Sequence, residues 1–217
     1  MDATAIPSDP GGQPIPAALS DQGQRLAEAA VDLFYRQGAL ATTVRQITRA
    51  CGLTPGALYN HFSSKEELLY TVVRDIHLRL EASVAGAQAG AAGDPVAELM
   101  AIVRVYVDRH AHHKRDARVA NREYTLLTGE WRSEVVAIRR RLRDRLAGVL
   151  MDGQARSLFN LVGGDDRASA TLMAATILDM CIHVSEWFHE SKPLATAELQ
   201  DRYAAMALRL TGAPESP

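Results

Sequence analysis

The sequence predicts an all-α protein, in which a small helix-turn-helix head is joined by a long helix to a larger helical body. Three observations support this class. Apolar residues recur at three- and four-residue intervals along most of the 217 residues, capping residues and glycines separate these runs, and no segment sustains the apolar-polar alternation of a half-buried strand. The content of 47% hydrophobic and 23% charged residues is typical of a globular protein.

The N-terminal segment and the first helix differ sharply in composition. Residues 1 to 20 contain four prolines and a glycine pair, and too few apolar side chains to offset the entropy of ordering, so we expect a disordered arm. From Asp21 onward, Leu26, Ala30 and Phe34 mark one apolar helix face. Gly38 supplies the left-handed residue that ends this first helix.

The next two helices form the helix-turn-helix. Thr43 and Gln46 have the spacing of a capping box at the start of the second helix, and Gly52 ends it. Thr54 is expected to cap a third helix over residues 55 to 62, with Pro55 at its first position, where an amide would have no partner anyway.

A long fourth helix leads out of the head. Ser64 and Glu67 predict another capping box, and an apolar stripe continues from there to Leu80. We therefore divide the chain into the arm 1–20, the head 21–66 and the body 67–213, with a loop expected at 85–93.

The body is predicted to contain five more helices. The first begins at Asp94-Pro95, and the others are expected over residues 116–127, 131–150, 167–190 and 196–211. Only residues 156–166 have a composition compatible with an extended segment.

Charge and composition limit the possible function. A formal net charge of −2 argues against bulk electrostatic coating of nucleic acid, so any contact must be local. Residues 38 to 65 offer such a patch, because they include Arg45, Arg49 and Lys65 and no acidic side chain. Cys51 and Cys181 indicate buried thiols in a reducing compartment. No stretch has about 18 uninterrupted apolar residues, so we expect a cytoplasmic protein that does not bind a membrane.

The third helix is the candidate DNA-reading element, because a helix-turn-helix places its second helix in the major groove. The face opposite Leu58 and Phe62 carries Pro55, Gly56, Ala57, Tyr59, Asn60 and His61. The small residues allow close approach of the backbone, while Tyr59, His61 and Lys65 have the reach for phosphates. Arg45 suits guanine and Asn60 suits adenine. The alternative for Tyr59 and His61 is a half-exposed surface pair, and Arg49 is expected to be solvated.

These motifs carry a resemblance. The stretches FYRQG at 34–38, ATTVRQI at 41–47, CGLTPGALYNHF at 51–62 and KEEL at 65–68 resemble the N-terminal domain of the TetR family of transcriptional regulators. The resemblance implies an all-α homodimer, a palindromic double-stranded DNA operator, and a C-terminal ligand-binding and dimerisation domain whose small-molecule effector weakens DNA binding. It also implies phosphate contacts at Thr43, Tyr59, His61 and Lys65, and base contacts at Arg45 and the start of the third helix.

The body carries a second, looser resemblance. Its RVANRE stretch at 118–123, its Trp-Phe pair at 187–188 and its DRY stretch at 201–203 are similar to actinobacterial regulators of lipid and sterol catabolism that respond to acyl-CoA thioesters. This similarity implies a small lipophilic effector, with a CoA-linked molecule as one form. The candidate ligand residues are Arg118, Asn121, Arg122, His183 and Trp187. A solvated helix face is the alternative for Asn121 and Arg122, and core or dimer interface for Trp187.

Two basic clusters receive no functional role from the sequence. His110 and His113 have a spacing compatible with a metal pair, but they lie at a helix C-terminus with no further ligand nearby, so no metal or cofactor is expected. The arginines between 139 and 145 are expected to form the solvent-exposed face of their helix.

No catalytic motif is found, so an enzyme is not expected. The last two helices are expected to form a four-helix dimer interface through the stripes Leu172, Ala175, Leu178, Val184 and Leu199, Tyr203, Met206, Leu210. The alternative to a DNA-binding regulator is a helical small-molecule- or partner-binding protein that does not use its head.

Overall fold

The computed structural model describes residues 19–91, 93–164, 166–189 and 194–213, and these ranges contain only helices and irregular segments. The all-α class is confirmed. The α-helices are α1 (Asp21–Gln37), α2 (Val44–Ala50), α3 (Lys65–Gly90), α4 (Pro95–His112), α5 (Lys114–Glu123), α6 (Gly129–Ala155), α7 (Arg167–Ile182), α8 (Val184–Trp187) and α9 (Thr196–Leu210). Two 3-10 helices cover Pro55–Asn60 and Tyr124–Leu126. The predicted arm lies outside the described residues, apart from Leu19 and Ser20.

Capping interactions fix the ends of the first two helices, and those at Gly38 and at Thr43 with Gln46 were predicted from the sequence. Ser20 Oγ accepts a hydrogen bond from the Gly23 amide at 3.2 Å at the start of α1. Gly38, with φ 80°, ends this helix. The capping box of α2 is confirmed, because Thr43 Oγ1 accepts from the Gln46 amide at 3.2 Å and Gln46 Oε1 accepts from the Thr43 amide at 2.8 Å.

The third helix is shorter and tighter than predicted. It is a 3-10 helix, in which the Ala57 amide donates to Thr54 O at 3.0 Å and the His61 amide to Leu58 O at 2.9 Å. Thr54 occupies the cap position without a side-chain cap. A six-residue segment that begins with Pro55-Gly56 has little helix propensity, so packing of the buried Leu58 fixes its conformation.

Two connections in the body differ from the predictions. Residues 85–90, expected in a loop, continue α3, because their alanines have high helix propensity that offsets the glycines. Residues 156–166 contain no described strand, and the Asn160 amide instead donates to Thr211 O at 2.7 Å behind α9. The helix predicted over 167–190 divides at His183, and Glu190 lies outside the described residues.

The apolar side chains form two cores that share α3. The head core packs α1, α2 and the first 3-10 helix onto the first half of α3, and it extends to Val119 of α5 and Val135 of α6. The body core packs α4, α6, α7 and α9 around Val84 in the second half of α3. Helix α3 therefore contributes side chains to both cores and connects the head to the body.

The stripes expected at a dimer interface are only partly exposed. Val184, Leu199 and Tyr203 are buried within the subunit, so their assignment to a dimer interface is wrong. Leu178 is also buried, and Ala175 lines an internal cavity. Leu172, Met206 and Leu210 are exposed, Leu172 by 70%.

By length and composition alone, the stretch Arg167–Trp187 could cross a membrane. Core helices of soluble proteins pass the same test, and this stretch packs against α4 and α6 through Ala174, Ile177 and Cys181. It is therefore weak evidence for a membrane segment.

Candidate nucleic-acid interface and ligand cavity

The head presents the 3-10 helix Pro55–Asn60 on a rigid support. Gly52, with φ 71°, makes the turn after α2, where the Leu53 amide donates to Thr48 O at 2.8 Å. Leu58 and Phe62 point into the head core and are buried. The opposite side of the 3-10 helix must therefore face outward.

Most of the predicted DNA-contacting residues lie on this outward side. Tyr59 is 58% exposed, and Arg45 on α2 is exposed beside the cap residue Thr43. Pro55, Gly56 and Asn60 are also exposed, and Ala57 is half-buried. A hydroxyl, a guanidinium and an amide so placed provide the donors for phosphate oxygens and base edges.

His61 and Lys65 are less available than the sequence suggested. His61 Nε2 donates to Gln22 Oε1 at 2.9 Å, and Ser20 Oγ donates to His61 Nδ1 at 3.3 Å, so both ring nitrogens are bound to the N-terminal end of α1. Lys65 Nζ donates to the carbonyl oxygens of Ala39 and Thr42, each at 2.7 Å. Two of its three N–H donors therefore hold the turn before α2.

The body encloses a cavity of about 310 Å³ between α3, α4, α5, α6 and α7. Its apolar wall includes Ile76, Leu80, Ala117, Leu142, Leu178 and Ile182. Its polar wall includes the cations Arg109, Arg139, Arg140 and Arg143, the histidines His77, His110 and His113, and the acids Asp116 and Asp179. Without the histidines, the charges in the lining are four positive and two negative, which favours an anionic or amphipathic ligand.

A hydrogen-bond network crosses the polar wall. Arg139 Nη1 lies 2.8 Å from Asn121 Oδ1 and 3.0 Å from His77 Nε2. Asn121 Nδ2 lies 3.2 Å from His110 Nε2. The Arg139 guanidinium also lies 4.4 Å from the centre of the Tyr124 ring. This network joins α3, α4, α5 and α6.

Burial keeps the two network histidines neutral. Desolvation lowers the pKa of His77 to about 4, with a smaller contribution from the Arg139 charge. Desolvation also lowers the pKa of His110 to about 4, helped by Arg109 and Arg139. Each imidazole lies close to the carbonyl four residues earlier, with His77 Nδ1 2.8 Å from Val73 O and His110 Nδ1 2.7 Å from Tyr106 O. These Nδ1 atoms carry the proton and donate it.

Of the predicted ligand residues, only Asn121 lines the cavity. Arg118 and Arg122 instead bind Glu186 Oε2, at 2.9 Å and 2.7 Å. His183 is exposed, and its Nδ1 donates to Asp179 O at 2.8 Å. Trp187 is 38% exposed and packs edge-on against Phe188. Side chains that pair across 60 or more residues cannot be assigned from one helix pattern.

Sequence reasoning missed the cationic wall, because it assigned the arginines of α6 to solvent. Arg141 fits that assignment, since it is exposed and pairs with Glu81 at 2.7 Å. Arg139 does not, because it follows the buried Val135 by four residues and so lies at the edge of the apolar stripe. The same four-residue spacing from Val73 and Tyr106 would have indicated that His77 and His110 point inward.

Helix α5 contacts the head and the cavity at once. Arg115 Nη1 pairs with Asp32 of α1 at 2.6 Å, and Glu123 Oε2 accepts from the Ala39 amide at 3.1 Å. The other side of α5 carries Ala117 and Asn121 of the cavity wall. A ligand that moves α5 would therefore move contacts to α1 and to the following turn.

Within the described ranges, no group of three histidine, cysteine or carboxylate side chains has a metal-binding arrangement. Cys51 and Cys181 are free thiols, and burial raises the pKa of Cys181 to about 12. Cys181 therefore acts as a small apolar side chain in the core.

Two family models match the chain. The model described as bacterial regulatory proteins, tetR family, covers residues 26–72, and the model described as the tetracyclin repressor-like C-terminal domain covers residues 92–211. The chain is 25% identical over 184 residues to the HTH-type transcriptional repressor KstR2 of Mycobacterium tuberculosis, covering 84% of this chain and 89% of that protein. Two shorter alignments, over 51 and 60 residues, cover 18% of YerO of Bacillus subtilis at 39% identity and 29% of KstR2 of Mycolicibacterium smegmatis at 38% identity.

Solved structures share the whole fold. A regulatory protein of the tetR family from Rhodococcus RHA1 has a TM-score of 0.83 and 28% identity, covering 90% of this chain and 100% of that chain. AibR in complex with isovaleryl coenzyme A and operator DNA has a TM-score of 0.78 and 22% identity, covering 89% and 100%.

Proposed function

The chain belongs to the TetR family of bacterial regulatory proteins, and on that premise we propose that it is a transcriptional repressor that binds a palindromic operator as a homodimer and is released by a small lipophilic effector. The observation that carries this proposal is the double contact of α5, which lines the cavity with Asn121 and holds the head through Arg115 and Glu123. Family membership favours this function over an enzymatic activity and over a helical binding protein that does not use its head to bind DNA.

On the DNA side, each of the predicted contact residues has a role. Tyr59 and the cap residue Thr43 contact phosphates, which fix the orientation of the head without reading sequence. Arg45 and Asn60 read base edges, and the backbone of Pro55, Gly56 and Ala57 approaches the DNA closely. Lys65 holds the turn before α2 and offers its third N–H to a phosphate. His61 fixes the end of the 3-10 helix against α1 and reaches a phosphate only if it gives up a bond.

On the effector side, the apolar wall of the cavity suits an acyl chain or ring, and its cationic wall suits an anionic end group. The structural similarity to AibR with bound isovaleryl coenzyme A supports an acyl-CoA thioester as one candidate class. A cavity of about 310 Å³ has room for an acyl part, and the nucleotide of such a molecule would extend outside it. Asn121 remains the proposed ligand residue from the sequence. Arg118, Arg122, His183 and Trp187 would act only at the periphery.

The dimer interface is proposed on the outward faces of α7 and α9. Leu172 and Thr176 on α7, and Met206 and Leu210 on α9, are exposed along one stripe of each helix. Two copies paired through these stripes would form a four-helix interface. We propose the division into a head, 21–66, and a body, 67–213, and we place the protein with its operator in the cytoplasm.

A mobility-shift experiment tests this function. The purified protein is mixed with DNA from upstream of its own gene, with an equal length of unrelated DNA as the control. We expect a specific band that is lost with the Tyr59→Ala variant and weakened by a lipophilic extract of the host cells. The absence of a specific band would favour a helical binding protein that does not use its head.

A further inference from the structure

The guanidinium of Arg139 carries a positive charge inside the cavity wall that no carboxylate balances. Its partners among the described residues are Asn121 Oδ1, His77 Nε2 and the Tyr124 ring, and all three are neutral. Among the described residues, no acidic group lies within ion-pair distance of it. By contrast, Arg143 in the same wall pairs with Asp144 at 2.9 Å.

The hydrogen bonds around Arg139 fix which atoms remain available. His77 Nδ1 donates to Val73 O, so Nε2 offers only a lone pair, which accepts from Arg139. His110 is arranged in the same way and accepts from Asn121 Nδ2. Because Asn121 uses Oδ1 for Arg139 and Nδ2 for His110, the network holds the guanidinium in place without neutralising it.

The two acids of the cavity lining do not supply the missing charge. Asp116 lies 3.1 Å from Arg115 Nε, and Arg115 also binds Asp32. Asp179 lies on the exposed rim of α7, outside ion-pair distance of Arg139. Arg139 is half-buried, and a cation partly removed from water is stabilised by a nearby anion, which the described residues do not supply and an anionic ligand would.

We propose that the effector is an amphipathic anion, and that Arg139 binds its anionic oxygen while the apolar part packs against Leu80, Leu142 and Leu178. This inference deepens the proposed function and rests on it. Asn121 and His77 contact only Nη1 of Arg139, so the N–H groups of its Nη2 and Nε can bind an oxyanion in a two-pronged contact. The shared chemistry is an apolar group joined to a negative oxygen, which a free carboxylic acid or the phosphates of an acyl-CoA thioester would both supply.

A pair of fluorescent probes tests the charge preference without DNA. The probe 8-anilinonaphthalene-1-sulfonate is an apolar anion, and N-phenyl-1-naphthylamine has the same aromatic skeleton without the sulfonate. We expect the wild-type protein to bind the anion more tightly. Arg139→Gln should weaken binding of the anion about ten- to hundredfold, the usual cost of losing a hydrogen bond to a charged group, and leave the neutral probe unchanged.

The matched control is Arg141→Gln, because Arg141 lies on the same helix but pairs with Glu81 on the surface. Arg139→Lys keeps the positive charge and should retain part of the anion affinity. Comparison with Arg139→Gln therefore distinguishes the contribution of the charge to anion binding from that of side-chain packing. The proposal is overturned if the wild type does not bind the anion, if Arg139→Gln leaves anion binding unchanged, or if that variant weakens both probes equally.

Competition identifies the source of the anion. Displacement of the probe by octanoate would indicate a free carboxylate, and displacement by octanoyl-CoA but not by octanoate would indicate the CoA phosphates. Displacement by neutral 1-octanol, with neither anion effective, contradicts the proposal. Because these measurements contain no DNA, a failure of ligand recognition is distinguishable from a failure of operator binding.

Discussion

Glu123 Oε2 accepts a hydrogen bond from the backbone amide of Ala39 at 3.1 Å, which joins the last residue of α5 to the turn between α1 and α2, 84 residues away in the sequence. The carbonyl of the same Ala39 accepts from Lys65 Nζ at 2.7 Å. Glu123 of the body therefore holds the N–H of Ala39 in this turn, and Lys65 of the head holds the C=O of the same residue. It leads directly into Thr43 and Arg45, so its position determines where α2 presents these side chains.

Removing the Glu123 carboxylate should loosen this turn. In Glu123→Ala, the Ala39 amide loses a charge-assisted partner, a contribution of about 1.5–3 kcal/mol. We expect faster hydrogen exchange in residues 38–43 and an operator affinity that falls several-fold. Glu130→Ala, an exposed change at the start of α6, is the control and should alter neither measurement. Unchanged exchange in the Glu123 variant would show that this contact does not hold the turn.

Tyr59 should contribute affinity without sequence preference. Its exposed hydroxyl is proposed to contact a phosphate, so Tyr59→Ala should weaken binding to cognate and altered operators by the same factor. Tyr59→Phe retains the ring and isolates the contribution of the hydroxyl. Fluorescence anisotropy at moderate salt measures both, and full operator affinity in the alanine variant would rule out the proposed docking.

Arg45 should contribute sequence preference. Arg45→Ala is expected to relax discrimination at one base pair of each half-site by about 1–3 kcal/mol, because a two-pronged contact to guanine would be lost. Arg49, also exposed on α2, is the matched control, and Arg49→Ala should leave the base preference intact. A scan of single-base operator variants measures the effect, and loss of preference in both variants would argue against a specific role for Arg45.

The buried histidines should make the fold acid-sensitive. The pKa of His77 and that of His110 are about 4 in the folded protein and about 6.5 when unfolded, so the unfolded chain binds more protons between these values. The free energy of unfolding should therefore fall as pH drops from about 6.5 to 4, by up to about 3 kcal/mol for each histidine. Urea unfolding at several pH values measures this loss. His77→Gln should reduce it, and the surface change His112→Gln should not.

Two glycines of α6 provide a matched test of packing. A Cβ at Gly153 would lie 2.0 Å from Phe159 Cδ2, whereas a Cβ at Gly148 meets nothing within 4 Å. We expect Gly153→Ala to destabilise the protein by more than about 2 kcal/mol, because the ring is buried and cannot move freely. Gly148→Ala should stabilise it by about 0.5–1 kcal/mol through helix propensity. Equal effects in urea unfolding would contradict the packing around Phe159.

The head was largely predictable, because its signals are local. The capping box of Thr43 and Gln46, and the glycine at position 52, each act within a few residues. The conformation of Pro55–Asn60 was not predictable in detail, since a short segment with low propensity follows the packing of Leu58.

The cavity was not predictable, because five helices build its wall from side chains far apart in the sequence. Arg139 meets His77 across 62 residues, and Arg118 meets Glu186 across 68. Helical periodicity indicates which face of a helix is apolar, but it does not show which polar residue at the edge of that face turns inward. Arg118 and Arg139 occupy similar positions at the edge of an apolar helix face. Only the packing of neighbouring helices determines that Arg139 lines the cavity while Arg118 pairs with Glu186.

Selection from a random double-stranded DNA library tests the central claim most directly. The wild-type protein and the Tyr59→Ala variant are each carried through rounds of binding and sequencing. We predict that the wild type enriches an inverted repeat whose half-sites lie about one helical turn apart, about 34–36 Å, and that the variant enriches the same repeat but needs a higher protein concentration to bind it. Failure of the wild type to enrich any sequence, or enrichment of a single half-site without a repeat, would contradict a dimeric operator-binding repressor.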